Sequence, residues 1–170
     1  MSRLVLGIDQ GLANIGYAII GQKDNGYKNV VKSGSKKTSS KKDITERLGE
    51  IYDFFDAMLN EYPEIDEIAM EEFFYGGLNY ARSVSIVTTN QVSGVLLLLA
   101  RNRGISVRKI QPTHVKKTVT GRGNANKEAV MDKIKEIFSD CTFKTDHECD
   151  AVAIGMTALI EGFEETLKIK

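Results

Sequence analysis

Acidic residues stand at the ends of two apolar segments that have the pattern of buried strands. Asp9 ends the segment 4–9, and a carboxylate of Glu71 or Glu72 follows the segment 65–70. Short runs of branched aliphatic residues are typical of strands inside a mixed α/β sheet, so both carboxylates should lie at an edge of the core. A carboxylate in that position needs a cation, hydrogen bonds or a metal to compensate it. Asp9 alone could also be a turn residue that caps its own hairpin toward Gly11.

Another pair of polar side chains stands at the start of the last predicted helix. His147 and Asp150 are three residues apart, which places them on one face of a helix within a single turn. Thr145 and Glu148 fit a capping box, which gives Glu148 a structural role. A single histidine at a helix start is also compatible with capping or with plain exposure to solvent.

Three carboxylates and one imidazole could therefore meet at one edge of the sheet, and this set predicts a metal site. Ligand sets rich in oxygen suit Mg²⁺ or Mn²⁺. Two such ions about 3.5 to 4 Å apart can activate water and stabilise the leaving oxygen in phosphodiester cleavage. The candidate ligands are Asp9, one of the adjacent pair Glu71 and Glu72, His147 and Asp150.

The charges are strongly segregated although the formal net charge is zero. Residues 28–42 contain six lysines and no acid, and residues 101–127 contain eight basic residues and no acid. Separated blocks of this kind favour a polyanionic partner such as nucleic acid. The first block alone is explained as well by solvated loops, and residues 33–42 have the composition of a mobile connection.

Two loops add to this picture. Residues 73–80 combine aromatic rings, which offer stacking surface, with glycines, which give mobility. Residues 121–127 form a basic, glycine-containing loop before a predicted helix, where open backbone amides could hold a phosphate. That loop lacks the spacing of a nucleotide-binding P-loop, so its signal is weak by itself.

The remaining pattern predicts the elements that must position these residues. Hydrophobic periodicity predicts an α/β protein with a three-stranded antiparallel meander, two further strands and five helices. The predicted strands are 4–9, 15–20, 27–33, 65–70 and 105–110, and the predicted helices are 43–61, 81–102, 112–119, 127–138 and one that starts at Thr145.

Length and composition limit the class of protein. With 170 residues, 42% hydrophobic and 27% charged, the chain fits one globular domain over residues 1–170. The longest unbroken apolar stretch, residues 95–100, is too short to cross a membrane, and the N-terminus has no signal-peptide pattern. We therefore expect a cytoplasmic protein without membrane association.

The order of these motifs resembles the RuvC-type Holliday junction resolvases of the ribonuclease H-like superfamily. The resemblance covers nearly the whole chain, and four motifs in order at suitable spacing make it specific. They are Gly7-Ile8-Asp9-Gln10-Gly11 with Gly16-Tyr17, then Ala69-Met70-Glu71-Glu72-Phe73-Phe74, then the basic segment 115–127, and finally Asp150-Ala151-Val152-Ala153-Ile154.

Two positions depart from the family pattern. Gln10 replaces the usual proline, which should loosen the turn after Asp9 without removing a ligand. Many members have Asp three residues before the final aspartate, where this chain has His147; Asp146 stands one place earlier and is the reserve candidate. Imidazole in the ligand set puts the metal preference in doubt, because imidazole binds transition metals more readily than it binds Mg²⁺.

The resemblance implies a ribonuclease H-like fold with a central mixed five-stranded sheet flanked by helices. It also implies a homodimer that binds a four-way DNA junction and nicks two strands symmetrically, with two Mg²⁺ or Mn²⁺ ions in each active site. It leaves open whether branch-migration machinery is a further partner. The residues it implies are the ligands Asp9, Glu71, His147 and Asp150, the catalytic lysines Lys116 and Lys127, and the DNA contacts Phe74, Tyr75, Lys117 and Arg122.

Three other functions fit parts of the same pattern. A related nuclease acting on flaps, forks or RNA would share the fold and the metal chemistry. A non-catalytic junction-binding protein would share the basic surface, although its acidic set would weaken DNA binding without a metal. An actin-like or sugar-kinase ATPase would need a second phosphate loop of the DxGGT kind, and the sequence has none.

Overall fold

The computed structural model describes residues 3–22, 26, 28–72 and 80–168. Its strands are β1 (Arg3–Asp9), β2 (Asn14–Gln22), β3 (Lys28–Lys37), β4 (Ile65–Glu71) and β5 (Ser106–Ile110). They form one sheet in the order β3-β2-β1-β4-β5, in which β1, β2 and β3 are antiparallel and β4 and β5 run parallel to β1. The predicted mixed five-stranded sheet of a ribonuclease H-like fold is thus confirmed. The extent of the domain, residues 1–170, stays a prediction.

Helices flank both faces of the sheet because alternate side chains of each buried strand point to opposite faces. In the described part of the chain they are α1 (Ile44–Glu61), α2 (Tyr80–Arg103), α3 (Pro112–Thr120), α4 (Lys127–Ile137) and α5 (Asp146–Lys168). Leu6 and Ile8 of β1 belong to the core under α1 and α2, whereas Val5 belongs to the core under α3, α4 and α5. No helix among these residues is both long and apolar enough to span a membrane.

The lysine-rich block forms regular structure, which corrects one prediction. β3 extends to Lys37, which is paired with Asn14 of β2, so residues 33–37 belong to the sheet and not to a mobile connection. Lys32 Nζ lies 2.9 Å from the Glu61 carboxylate, and Lys36 Nζ lies 5.6 Å from the centre of the Phe54 ring. Lysines on an edge strand also discourage pairing with other chains. Part of this block is therefore explained by packing on α1.

Helix caps agree in part with the sequence pattern. α1 begins at Ile44, because Asp43 accepts hydrogen bonds from the backbone amides of Thr45 and Glu46 and acts as the cap. At α5, the Thr145 hydroxyl accepts from the amide of Glu148 at 3.3 Å, as predicted. The Glu148 carboxylate, however, accepts from the amide of Lys144, so the second half of the predicted capping box is displaced by one residue.

Glycines allow α5 to lie directly on the backbone of β1. A Cβ atom added to Gly7 would lie 2.2 Å from the carbonyl oxygen of Ala151 and 2.6 Å from the amide nitrogen of Gly155. Real Cβ atoms do not approach backbone atoms so closely, and packed interiors have little room to adjust. The absence of a side chain at Gly7 therefore sets the distance between the strand and the helix.

We expect Gly7→Ala to lower the free energy of unfolding by about 1 to 3 kcal/mol, because an overpacked core must shift its backbone. Urea unfolding of the two proteins measures this difference. Gly49→Ala in α1 is a matched control, since its Cβ would meet no atom within 4 Å. Glycine is less favourable than alanine inside a helix, so the control should be about 0.5 to 1 kcal/mol more stable than wild type. Equal effects of the two changes would contradict the packing argument.

Candidate active site

Two neighbouring parallel strands bring Asp9 and Glu71 to the same edge of the sheet. Ile8 of β1 is paired with Met70 of β4, so the acidic residues that follow them end the two strands side by side. Both are partly buried. The antiparallel partner of Asp9 is Gly16 of β2, which closes the other side of β1. The convergence predicted from the strand ends is therefore present.

Helix α5 adds the third carboxylate to a shared cleft. Asp150 lies in the first turns of α5, and its side chain faces the edge where β1 and β4 end. The cleft has a volume of about 270 Å³ and is walled by α3, α4 and α5. Its lining residues are Asp9, Glu71, Pro112, Val115, Lys116, Lys127, Val130, Asp150 and Ala153.

His147 contacts Asp9 but does not line this cleft. Its Nδ1 atom lies 2.6 Å from Oδ2 of Asp9. The position of its backbone depends on Gly16, where an added Cβ would lie 1.9 Å from the His147 carbonyl oxygen. Asp146, the reserve candidate, points elsewhere and lies 3.6 Å from Lys127 Nζ.

A second cleft lies on the other side of His147, and the sequence did not predict it. Its volume is about 380 Å³. It is formed by the turn between β1 and β2, by α1 and by α2, and its lining residues are Gly11, Leu12, Ala13, Asn14, Arg47, Thr88, Thr89 and His147. His147 thus stands between the two clefts.

Lys127 forms an ion pair with one carboxylate of the cleft. It is the first residue of α4, whose cap Asn126 accepts a hydrogen bond from the amide of Ala129 at 2.8 Å. Its Nζ atom lies 3.1 Å from Oδ2 of Asp150. Burial alone would lower the pKa of Lys127, but the hydrogen bond and the charge of Asp150 outweigh it and raise that pKa. Lys127 therefore stays protonated beside the cleft.

The other predicted DNA contacts are distributed along α3 and the following loop. Lys116 lines the cleft, while Lys117 and Arg122 are exposed. Phe74 and Tyr75 lie outside the described residues, so their predicted roles stay predictions.

The loop after α3 offers fewer open amides than expected. The amide of Gly121 donates to the carbonyl of Lys117, that of Arg122 to the Thr120 hydroxyl, and that of Ala125 to the carbonyl of Arg122. The predicted phosphate cradle is wrong for these three amides, because each already has a partner within the chain.

Burial, together with neighbouring negative charge, raises the pKa of two carboxyl groups in the cleft. Burial raises the pKa of Glu71 to about 7, and the charges of Asp9 and Asp150 add to this shift. Burial also raises the pKa of Asp150, as does Asp9, while Lys127 acts in the opposite direction. Like charges close together in a partly buried site favour a protonated form unless a cation compensates them. The cleft therefore contains more negative charge than its two lysines balance.

This charge imbalance fits a divalent cation. Carboxylate oxygens are the donors that Mg²⁺ and Mn²⁺ prefer, and a cation would relieve the repulsion that raises the pKa of Glu71. No three His, Cys, Asp or Glu side chains within residues 3–22, 26, 28–72 and 80–168 are already gathered around one point. Asp9 is engaged with His147 and Asp150 with Lys127, so these contacts compete with a metal.

Gln10 has a structural role beyond the turn after Asp9. Only 4% of the residue is exposed. Its side-chain nitrogen donates to the carbonyl of Glu71 at 2.7 Å, and its side-chain oxygen accepts from the amide of Glu71 at 3.3 Å. That Gln10 loosens the turn relative to proline stays a prediction, but its side chain is anchored at the end of β4. The sequence signal for its role was a polar amide placed at the end of a buried strand.

Comparison with known proteins gives consistent matches over most of the chain. A family model described as crossover junction endodeoxyribonuclease RuvC matches residues 5–158. The crossover junction endodeoxyribonuclease RuvC of Brachyspira hyodysenteriae is 33% identical over 90% of this chain and 91% of its own length. The corresponding protein of Alkaliphilus metalliredigens is 32% identical over 98% and 99% of the two chains. A solved structure of T. thermophilus RuvC in complex with Holliday junction substrate matches with a TM-score of 0.84 and 26% identity, covering 96% of this chain and 97% of that one.

We expect Glu71→Gln to stabilise the metal-free protein more at pH 8 than at pH 5. The pKa of Glu71 is about 7 in the folded protein against 4.5 ordinarily. Its contribution to stability is thus fully present below pH 4.5 and is lost as the pH rises through 7. Each pKa unit corresponds to about 1.4 kcal/mol, so the gain from the neutral amide should be about 2 kcal/mol larger at pH 8.

Urea unfolding in EDTA at both pH values measures this gain. Glu72→Gln is the matched control, because Glu72 is the next residue and does not line the cleft. An equal gain for Glu71→Gln at both pH values would show that the pKa of Glu71 is not raised in the folded protein.

Proposed function

The chain belongs to the RuvC family of crossover junction endodeoxyribonucleases, and we propose that it resolves four-way (Holliday) junctions in DNA recombination and repair by paired, symmetric nicking. The observation that carries this proposal is the cleft in which three carboxylates and two lysines meet. Carboxylates suit cations that assist phosphodiester hydrolysis, and lysines suit the phosphate itself.

Asp9, Glu71 and Asp150 would hold Mg²⁺ or Mn²⁺ in this cleft, with two ions per active site as the working proposal. When bound, such ions supply Lewis-acid activation of water and neutralise charge on the scissile phosphate. The protein's own contribution is to fix the carboxylates on two strand ends and one helix and to place Glu71 where burial and its acidic neighbours raise its pKa to about 7, so that nearby positive charge favours its ionised form.

His147 is proposed as the fourth ligand, with Asp146 in reserve. Its contact with Asp9 supports a place beside the same site, because release of that contact would free a ring nitrogen and a carboxylate oxygen next to each other. Asp146 instead lies near Lys127 and would partly neutralise the charge of that lysine. Removing the two side chains separately distinguishes these roles.

Lys116 and Lys127 are proposed to stabilise the charge of the phosphate. Both line the cleft, and Lys127 is held at its rim by Asp150. Lysine donors near a phosphate contribute as compact positive charges. Lys117 and Arg122, which are exposed beside them, would extend this contact along the DNA backbone.

Phe74 is proposed to stack on bases opened at the junction centre, with Tyr75 as its competitor. Stacking on an aromatic side chain contributes about 1 to 3 kcal/mol per base. The loop that contains them follows Glu71 directly in the sequence, which supports a place near the cleft. Branch-migration machinery as a further partner and a cytoplasmic location stay predictions.

A homodimer is proposed because two symmetric nicks need two active sites. An exposed surface of α2 supports it: Val87 is 49% and Leu98 is 53% exposed, and Gln91 and Gly94 lie between them at helical spacing. An added Cβ on Gly94 would meet no atom within 4 Å, so the helix is open to close approach there. A second copy of this chain could bury this surface.

The decisive assay is cleavage of a labelled four-way junction beside matched linear duplex, flap and RNA–DNA hybrid, with Mg²⁺ and then Mn²⁺. We expect paired symmetric nicks on the junction and a loss of roughly 1,000-fold in Asp9→Asn, because ion-assisted charge stabilisation is worth several kcal/mol. Asp53→Asn is the matched control, since Asp53 is an exposed aspartate of α1.

Other outcomes of this assay point to the alternative functions. Cutting of the flap or hybrid in place of the junction would assign the chain to another branch of the superfamily. Junction binding without cleavage in either metal would indicate a non-catalytic junction-binding protein.

We expect Leu98→Glu to convert the dimer into a monomer, because a charge would have to be buried at the α2 surface. Sedimentation velocity measures the change, and the monomer should lose paired nicking. Ile137→Glu at the end of α4 is the control, since Ile137 is 40% exposed but lies on a different helix. If wild type is a monomer, or if both variants remain dimers, the proposed surface is refuted.

A further inference from the structure

The main-chain pairing between β1 and β4 ends one residue before Glu71. The last parallel pair joins Ile8 and Met70. On the other side of β4, Glu71 is paired with Ile110 of β5, and the next amide, that of Glu72, donates to the Ile110 carbonyl at 2.9 Å. The amide and carbonyl of Glu71 itself therefore face the end of β1, beyond the last backbone pair between β1 and β4.

The side chain of Gln10 occupies that place. Its carboxamide donates to the Glu71 carbonyl and accepts from the Glu71 amide, so one side chain supplies both the donor and the acceptor that a neighbouring strand backbone would supply. The orientation of the carboxamide is fixed, because an N–H of Glu71 requires an oxygen and a C=O requires a donor. A third contact, 3.4 Å to the hydroxyl of Ser93, ties the same nitrogen to α2. Ser93 in turn donates to the carbonyl of Thr89.

Few side chains satisfy this arrangement. The site is buried, with Gln10 at 4% and Ser93 at 5% exposure, so water is not a ready substitute. A carboxylate of the same length offers no donor for the Glu71 carbonyl, and an apolar chain of the same length offers neither group. Unpartnered backbone groups at the end of β4 would move toward other partners, and the Glu71 carboxylate would move with them.

We propose that Gln10 is a positioning residue, which holds the backbone of Glu71 in place and thereby keeps its carboxylate aimed into the cleft. Gln10 does not line the cleft and acts only through Glu71. The proposal rests on the proposed function, because it assigns to Glu71 a part in holding the divalent cation. Groups that orient a metal ligand typically change affinity or activity by about 10- to 100-fold when they are removed.

The test uses Gln10→Met, which keeps the length of the side chain and removes both hydrogen bonds, and Gln10→Glu, which retains only the acceptor. We measure three quantities on the full chain: kcat on a four-way junction, the Kd for that junction in EDTA, and Mn²⁺ affinity by calorimetry without DNA. We expect Gln10→Met to lower both kcat and Mn²⁺ affinity by about 10- to 100-fold and to leave the junction Kd within about two-fold. Gln10→Glu should also lower both kcat and Mn²⁺ affinity.

Two controls separate positioning from general stability. Ser93→Ala keeps both contacts between Gln10 and Glu71, so its Mn²⁺ affinity should stay within about three-fold of wild type. Ile19→Val lowers stability in the fully buried core without touching Glu71 and should bind Mn²⁺ as wild type does. All assays are run at a temperature well below the lowest thermal unfolding midpoint among these variants.

The possible failures are distinguishable. Wild-type kcat and Mn²⁺ affinity in Gln10→Met, or losses no larger than those of Ile19→Val, would overturn the role of Gln10 and leave the proposed function standing. A wild-type chain that binds Mn²⁺ without cutting the junction would overturn the proposed function, and the affinity comparison would still decide the role of Gln10.

Discussion

The whole active-site edge depends on the direct backbone contact between α5 and the glycines of β1 and β2. Gly7 lies against the carbonyl of Ala151, and Gly16 lies against that of His147. These two contacts fix the first turns of α5 over the ends of the strands. Asp9 is therefore held by a strand and Asp150 by a helix. The distance between them is set by packed backbone, which is less adjustable than a contact made through long side chains.

The same face of β4 carries two carboxylates with opposite surroundings. Glu67 is 3% exposed and pairs with the guanidinium groups of Arg3 and Arg108, the latter at 2.6 Å. Glu71 lies four residues further along the strand, about 13 Å away, and forms no ion pair with the described residues. Burial therefore raises its pKa. At one end of the strand two guanidinium groups compensate the buried carboxylate, whereas the carboxylate at the other end keeps charge that a cation can compensate.

The sequence predicted the parts of the site that depend on periodicity. Strand ends predicted the meeting of Asp9 and Glu71, and helical spacing predicted Asp150 on the facing helix. The sequence did not predict that β3 continues to Lys37, because its lysines are accommodated by Glu61 and by a ring of α1 that is distant in the chain. Nor could local pattern place His147 between two clefts, since that position follows from the contact of its backbone with the β1–β2 hairpin.

Gln10 shows how the two faces of the sheet are joined at the active site. Even-numbered residues of β1 point to the side of α1 and α2, and odd-numbered ones point to the side of α5. Gln10 continues the first series and reaches Ser93 on α2, while its carboxamide also holds the strand end that presents Glu71. The exposed surface of α2 lies on the same helix, one residue beyond Ser93 at Gly94. One buried side chain therefore links the ends of β1 and β4 to α2.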